Sequence, residues 1–202
     1  MARTQGFDRE AAVRAARTLF WTTGFENASI AEIEAATGLS RSSVYNTFGS
    51  KRGLFDEAVQ SYLTEVVRPR LRPLTSEPVA SDAIEAYLIG LRTMFRGHRT
   101  TPSSHGCLLV NTAQSPIAYD PDVSRVIVDY LSELRDALER GVRARHPELD
   151  GSRASRRAEA MTGLVIAAFS LARVDAAQSA RSIDTALDLL DQPVASSAPA
   201  PR

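Results

Sequence analysis

The chain has one cysteine, one tryptophan and, among its 24 basic residues, a single lysine, Lys51. A lone Cys107 forbids an internal disulfide and argues against a cysteine-based zinc site within one chain. No apolar run reaches the length of a membrane span. The first residues, MARTQGFDREAA, lack the apolar core of a signal peptide, so a cytoplasmic protein is expected. Charge of one sign is also missing: 24 Lys+Arg face 24 Asp+Glu. That balance excludes a generic basic coat for nucleic acid and leaves only local positive charge to attract it. His98, His105 and His146 lack the spacing of helical metal ligands and have no carboxylate cluster, so they read as loop-surface residues and no metal is expected. Ser104 and His105 stand beside Cys107, but neighbouring loop residues rarely face each other. No orienting acid or oxyanion donor follows, so no catalytic residue is assigned, no cofactor is implied and an enzyme is not expected.

What is present is helical periodicity. The 202 residues suffice for one or two compact units. They carry no internal repeat and no convincing strand. An all-α fold of about nine helices is expected.

The most informative stretch runs from Ser29 to Phe55. Ser29 and Glu32 have capping-box spacing. Ile30, Ile33 and Ala36 recur with helical period and predict a buried face. Gly38 stands where that helix must stop and reverse, and glycine takes positive φ at little cost. Leu39 anchors the turn, and Ser40 is placed to cap a second helix running to about Phe48, with Val44 and Phe48 on one face. The other face presents Arg41, Ser42, Tyr45 and Asn46, with Thr47 on its flank. Asn pairs well with adenine and Arg with guanine, Ser and Thr meet bases or phosphates, and a Tyr hydroxyl suits a phosphate oxygen. Lys51, opening the next helix, adds an ammonium to free backbone N–H groups, a combination suited to phosphate. This is a helix-turn-helix with a recognition-type second helix.

These residues resemble the DNA-binding domain of the TetR family of transcriptional regulators. The likeness rests on Phe20, Gly24-Phe25, Ser29-Ile30 with Ile33, Thr37-Gly38-Leu39-Ser40, Val44-Tyr45-Asn46-Thr47-Phe48, Ser50-Lys51 and Leu54. It covers roughly the first sixty residues. The resemblance implies a homodimeric, usually repressing regulator of double-stranded DNA at a palindromic operator, with a C-terminal domain that binds a small-molecule effector. The implied DNA contacts are Ser29, Arg41, Ser42, Tyr45, Asn46, Thr47 and Lys51. The implied effector pocket, suited to a hydrophobic or aromatic molecule, draws on Tyr62, Tyr87, Met94, Phe95, Cys107, Tyr130 and Met161. Gly106-Cys107-Leu108-Leu109-Val110-Asn111 resembles a block in a branch of the family that includes repressors sensing electrophiles or oxidants through this cysteine. Cys107 therefore has two readings. It is either a thiol activated at a helix start, with Arg99 or His105 helping, or a small buried hydrophobe.

The domain division expected is 1–50 for the helix-turn-helix unit, 51–191 for a helical ligand-binding and dimerisation unit, and 192–202 for a disordered tail. Residues 1–6 read as a mobile arm in which Arg3 can reach DNA. A helix begins at Phe7, near Asp8, with Ala12, Val13, Ala16, Leu19 and Phe20 inward and Arg14 and Arg17 solvated; Gly24 ends it, and Trp21 packs on neighbouring helices. The helix from Lys51 carries Leu54, Phe55, Ala58, Tyr62 and Val66 and is ended or kinked by Pro69 and Pro73, with a loop through Pro78. Helices then follow from Ser81 or Asp82, from Cys107 and from Asp120-Pro121 to about Arg145, with a loop from Gly97 to Gly106. Two last helices, at about 152–178 and 183–190, are expected to form the homodimer interface as a four-helix bundle.

Overall fold

The computed structural model of the chain describes residues 8–97 and 104–192. The expected N-terminal arm, Arg99 and nearly all of the C-terminal tail lie outside these residues. Among the described residues the fold is all helical. The helices are α1 (Arg9–Thr23), α2 (Ile30–Thr37), α3 (Arg41–Phe48), α4 (Lys51–Tyr62), α5 (Arg68–Thr75), α6 (Ala83–Arg96), α7 (Leu108–Ala113), α8 (Pro121–Arg145), α9 (Gly151–Leu171) and α10 (Ala176–Asp191). A π-helical turn, Leu63–Val67, joins α4 to α5, and a 3-10 turn, Pro116–Tyr119, precedes α8. No helix among the described residues is long and apolar enough to cross a membrane.

The first helices form where the sequence places their caps. Asp8 accepts from the Ala11 amide at 3.0 Å and starts α1. The Ser29 hydroxyl accepts from Glu32 N at 3.2 Å while the Glu32 carboxylate accepts from Ser29 N at 2.8 Å, completing the capping box. Gly38 adopts φ 70°, the left-handed conformation that lets α2 stop and the chain reverse. Phe20, Phe25 and Phe55 make the aromatic core of this region, with Phe20 edge-on to Phe55 at 5.2 Å. On α2 only Ile33 is fully buried; Ile30 is half-buried and Ala36 is exposed, so the inward face is narrower than its spacing predicts. Arg17 is a second departure. Its side chain is largely covered and binds Ser61 Oγ at 2.8 Å and Glu65 at 2.9 Å, tying α1 to the end of α4.

Pro69 and Pro73 do not end the long helix. The chain stays helical from Lys51 to Thr75, with one π turn before the first proline. Both prolines lie on the exposed side, while Val67, Leu71 and Leu74 are buried. Burying each leucine contributes about 1.5–3 kcal/mol, comparable to the roughly 3 kcal/mol cost of an interior proline. Packing therefore offsets the local preference, and the π turn shifts the hydrogen-bond ladder where it is interrupted.

The remaining helices form a larger bundle. Helix α10 packs against α9 and α6, α9 against α8, and α5 against α6 and α8. The single helix expected over about 152–178 is two. Helix α9 ends at Leu171, and Asp175 caps α10 by accepting from the Gln178 amide at 2.8 Å. No glycine or proline marks this break, and the last helix begins at Ala176 rather than near residue 183. His146 is not a loop-surface residue: its ring bridges the Leu190 carbonyl at 2.7 Å and Glu148 at 3.0 Å. His105 is helical and half-buried with its Nδ1 unpaired, and His98 lies outside the described residues. The Gly97–Gly106 segment is described only at its ends, where Ser104 and His105 are helical rather than looped.

Candidate functional site

Helix α3 is pinned by two residues and presents the rest. Val44 and Phe48 are buried, Arg41, Ser42, Tyr45 and Asn46 are exposed, and Thr47 is half-buried on the flank. Ser40 caps the helix by accepting from Ser43 N at 3.2 Å, and its hydroxyl lies 3.0 Å from that of Ser42. The Arg41 guanidinium rests 5.7 Å from the centre of the Tyr45 ring, and the Arg41 amide donates to Glu34 of α2 at 2.5 Å. The residues expected on one face of α3 are thus brought together. Lys51 sits at the start of α4, its ammonium 4.6 Å over the Phe25 ring and 3.4 Å from the Glu26 carbonyl. Burial lowers its pKa, opposed by the carboxylates of Glu26 and Glu32. Ser29 differs from the others: its N–H and hydroxyl are both engaged by Glu32.

A second constellation lies in the larger bundle. Cys107 is wholly buried, and its thiol donates to Tyr130 Oη at 3.4 Å. The Tyr62 phenol also faces the thiol, and burial pushes both phenols well above their usual range. Tyr62, Tyr87 and Tyr130, with Arg70, Leu91 and Phe169, line a narrow cleft of about 20 Å³, room for one water. The cleft shares Arg70, Tyr87 and Leu91 with an outer groove of about 440 Å³ between α5 and α6, walled by Pro69, Pro73 and Met94. Four of the expected pocket residues, Tyr62, Tyr87, Met94 and Tyr130, therefore meet at this cleft and groove. Phe95 and Met161 do not: Phe95 packs on Phe169 at 5.7 Å, and Met161 is buried in the core. Cys107 stands behind the tyrosines, not on the wall.

Residues 12–58 match the family model described as bacterial regulatory proteins, tetR family. Among curated proteins, the Escherichia coli K12 HTH-type transcriptional repressor BdcR is 28% identical over 147 residues, covering 72% of this chain and 71% of BdcR. A solved TetR transcriptional regulator from Chloroflexus aurantiacus is 30% identical, with 90% of this chain and 91% of that one covered and a TM-score of 0.70. The chain belongs to the TetR family. Another TetR family regulator, CifR, solved as a cysteine-substituted variant bound to 26-bp double-strand operator DNA, is 26% identical, with 92% and 98% coverage and a TM-score of 0.75. The protein is a DNA-binding transcriptional regulator, not an enzyme.

In this TetR-family chain polar contacts among the described residues join α1–α4 and their connecting loops to the segment from Gly106 onward. The Trp21 indole N–H donates to the Gly106 carbonyl at 3.1 Å, and its ring meets Tyr62 edge-on at 4.8 Å. Arg173 donates to the Trp21 carbonyl at 2.9 Å. Glu26 accepts from the Ile117 amide at 2.8 Å. Arg52 pairs with Asp120 at 2.6 Å. Gly106 is required at its position: φ is 68°, and a Cβ there would stand 2.2 Å from the Phe169 carbonyl oxygen. Sequence reasoning missed these bridges and Arg70. An arginine between two prolines carries no periodic signal, and contacts 65 or more residues apart leave no local trace.

Proposed function

We propose that this regulator acts as a homodimeric repressor on a palindromic operator, each subunit setting α3 in a major groove, and that a small hydrophobic or aromatic effector releases it. The observation that carries the reading is the polar face of α3, held outward by Val44 and Phe48. Arg41, Ser42, Tyr45, Asn46 and Thr47 supply base and phosphate contacts in this reading, and Lys51 turns from Phe25 to a phosphate. Ser29 contributes by holding α2 and the turn in place. The DNA-binding unit is 1–50, residues 51–191 form the effector and dimer unit, and the protein works in the cytoplasm.

The dimer reading draws on an outward stripe of α9. Ala160, Gly163, Leu164, Ala167 and Leu171 recur at helical spacing, all exposed or half-buried. Small residues let a partner helix approach closely, and α9 with α10 from two subunits would make a four-helix bundle. The effector reading draws on the groove between α5 and α6. A ligand there bears on α5, which continues through the π turn into α4 and so to the end of the DNA-binding unit, next to α3. The effector works only through unequal affinity for the DNA-competent and released states.

Replacing Asn46 by alanine tests the readout: operator affinity should fall and preference at one base pair per half-site should relax. An unchanged affinity and preference would remove Asn46 from the interface. The second reading, a redox repressor switched at Cys107, is supported by the sequence block around that residue. It predicts that Cys107→Ser abolishes release by electrophiles while DNA affinity persists. Total burial of the thiol favours the reading in which Cys107 is a core residue bonded to Tyr130.

A further inference from the structure

The outer groove is apolar on its walls and cationic at its inner end. The side chain of Arg70, exposed on α5, makes no ion pair or hydrogen bond with any described residue. The same holds for the side chain of Arg72 on that helix, whereas Arg68 pairs with Glu133, Arg140 with Glu77 and Arg92 with Asp184; of Arg70 and Arg72, only Arg70 lines the groove. Tyr87, on the facing helix, likewise has no hydrogen-bond partner for its hydroxyl among the described residues. Both side chains line the groove and the cleft beneath it. Leu91, Met94, Pro69 and Pro73 flank them with hydrocarbon. An unpaired guanidinium beside an unpaired phenol in a cavity of this size is a binding arrangement lacking its acceptor.

We propose that the effector is an amphipathic organic anion, a carboxylate or enolate carried on an alkyl or aromatic body, whose anionic head accepts from Arg70 and Tyr87. Its body lies along Pro69, Pro73, Leu91 and Met94. The narrow cleft beyond Tyr87 has no room for the body, so the head faces inward and the body outward. This rests on the effector reading above and narrows it from any hydrophobic molecule to a charged one. A neutral hydrophobe would leave both donors unmatched as it excluded water from them. The inner end thereby selects by charge, and the apolar walls select by length.

The test is calorimetric titration of the full chain with matched pairs: decanoate against decanamide, and 2-naphthoate against 2-naphthamide. Each is repeated on Arg70→Gln and Tyr87→Phe, with helicity and melting temperature checked for both variants. Each carboxylate is expected to bind at least tenfold more tightly than its amide. Arg70→Gln should remove that tenfold preference, and Tyr87→Phe should reduce it several-fold. Equal binding of acid and amide, an undiminished preference in Arg70→Gln, or no binding of either carboxylate would each overturn the inference. Operator-release assays with neutral hydrophobes separate the two levels. Release by a neutral compound, with the carboxylates inert, would leave the effector reading standing and remove the anion. If no compound of either class shifted operator affinity, both would fall.

Discussion

The Arg52 guanidinium meets the Asp120 carboxylate at 2.6 Å, joining the second residue of α4 to the cap of α8. Asp120 also accepts from the amides of Asp122 and Val123. One carboxylate thus starts a 25-residue helix and holds the helix that follows the recognition helix. Rotation of α4 in an effector response has to move or break this pair.

The Asp120 carboxyl is held down to about 2 from an ordinary 3.8, first by the Arg52 hydrogen bond and then by the helix amides. Its folded value is the lower one, so its stabilisation is complete above about pH 4 and is lost as pH falls towards 2. Asp120→Asn should therefore flatten the acid limb of a melting-temperature profile across that window. Arg52→Ala should lower the melting temperature less than Asp120→Ala, which loses the cap as well as the pair. A loss in Asp120→Ala smaller than that in Arg52→Ala, which also gives up the Arg52–Asp56 pair, would contradict this order.

Gly106→Ala places a methyl group against the Phe169 carbonyl and imposes a positive φ on an L residue. A destabilisation of about 2–3 kcal/mol is expected in urea unfolding. The Trp21–Gly106 bond should loosen with it, so the emission of the single tryptophan should change in the native state. Native stability within 0.5 kcal/mol of wild type would contradict the close approach.

Lys51→Gln should weaken binding to every duplex alike and reduce the slope of log affinity against log salt by about 2 for the homodimer, because one phosphate contact per subunit is lost. Asn46→Ala should instead leave the salt slope and change base preference. A Lys51→Gln protein with an unaltered salt slope would mean that the ammonium stays on Phe25 and Glu26 in the complex.

The helix-turn-helix was legible because its signals are local. Ser29, Glu32, Gly38 and Ser40 act within four residues of their partners, and each performs the role its spacing predicts. The α4–α5 run was not legible, since Pro69 and Pro73 indicate a stop that the burial of Val67, Leu71 and Leu74 overrides. The α9–α10 break was hidden for the opposite reason: Asp175 caps a helix in a stretch with no glycine or proline. The tyrosine cleft was half legible. Tyr62, Tyr87 and Tyr130 stand out as aromatics, whereas Arg70 is identified only by lacking a partner, which is a property of the folded chain. Arg17 shows the same limit, since its partners Ser61 and Glu65 lie 44 and 48 residues away.

Selection of randomised duplex DNA on the purified chain at near-physiological salt, in parallel with Asn46→Ala, tests the central claim most directly. Enrichment of a palindrome by the wild type, with relaxed preference at one position of each half-site in the variant, is the predicted result. A folded wild-type protein that enriches no sequence, or a variant that selects an identical palindrome, would contradict the role assigned to α3.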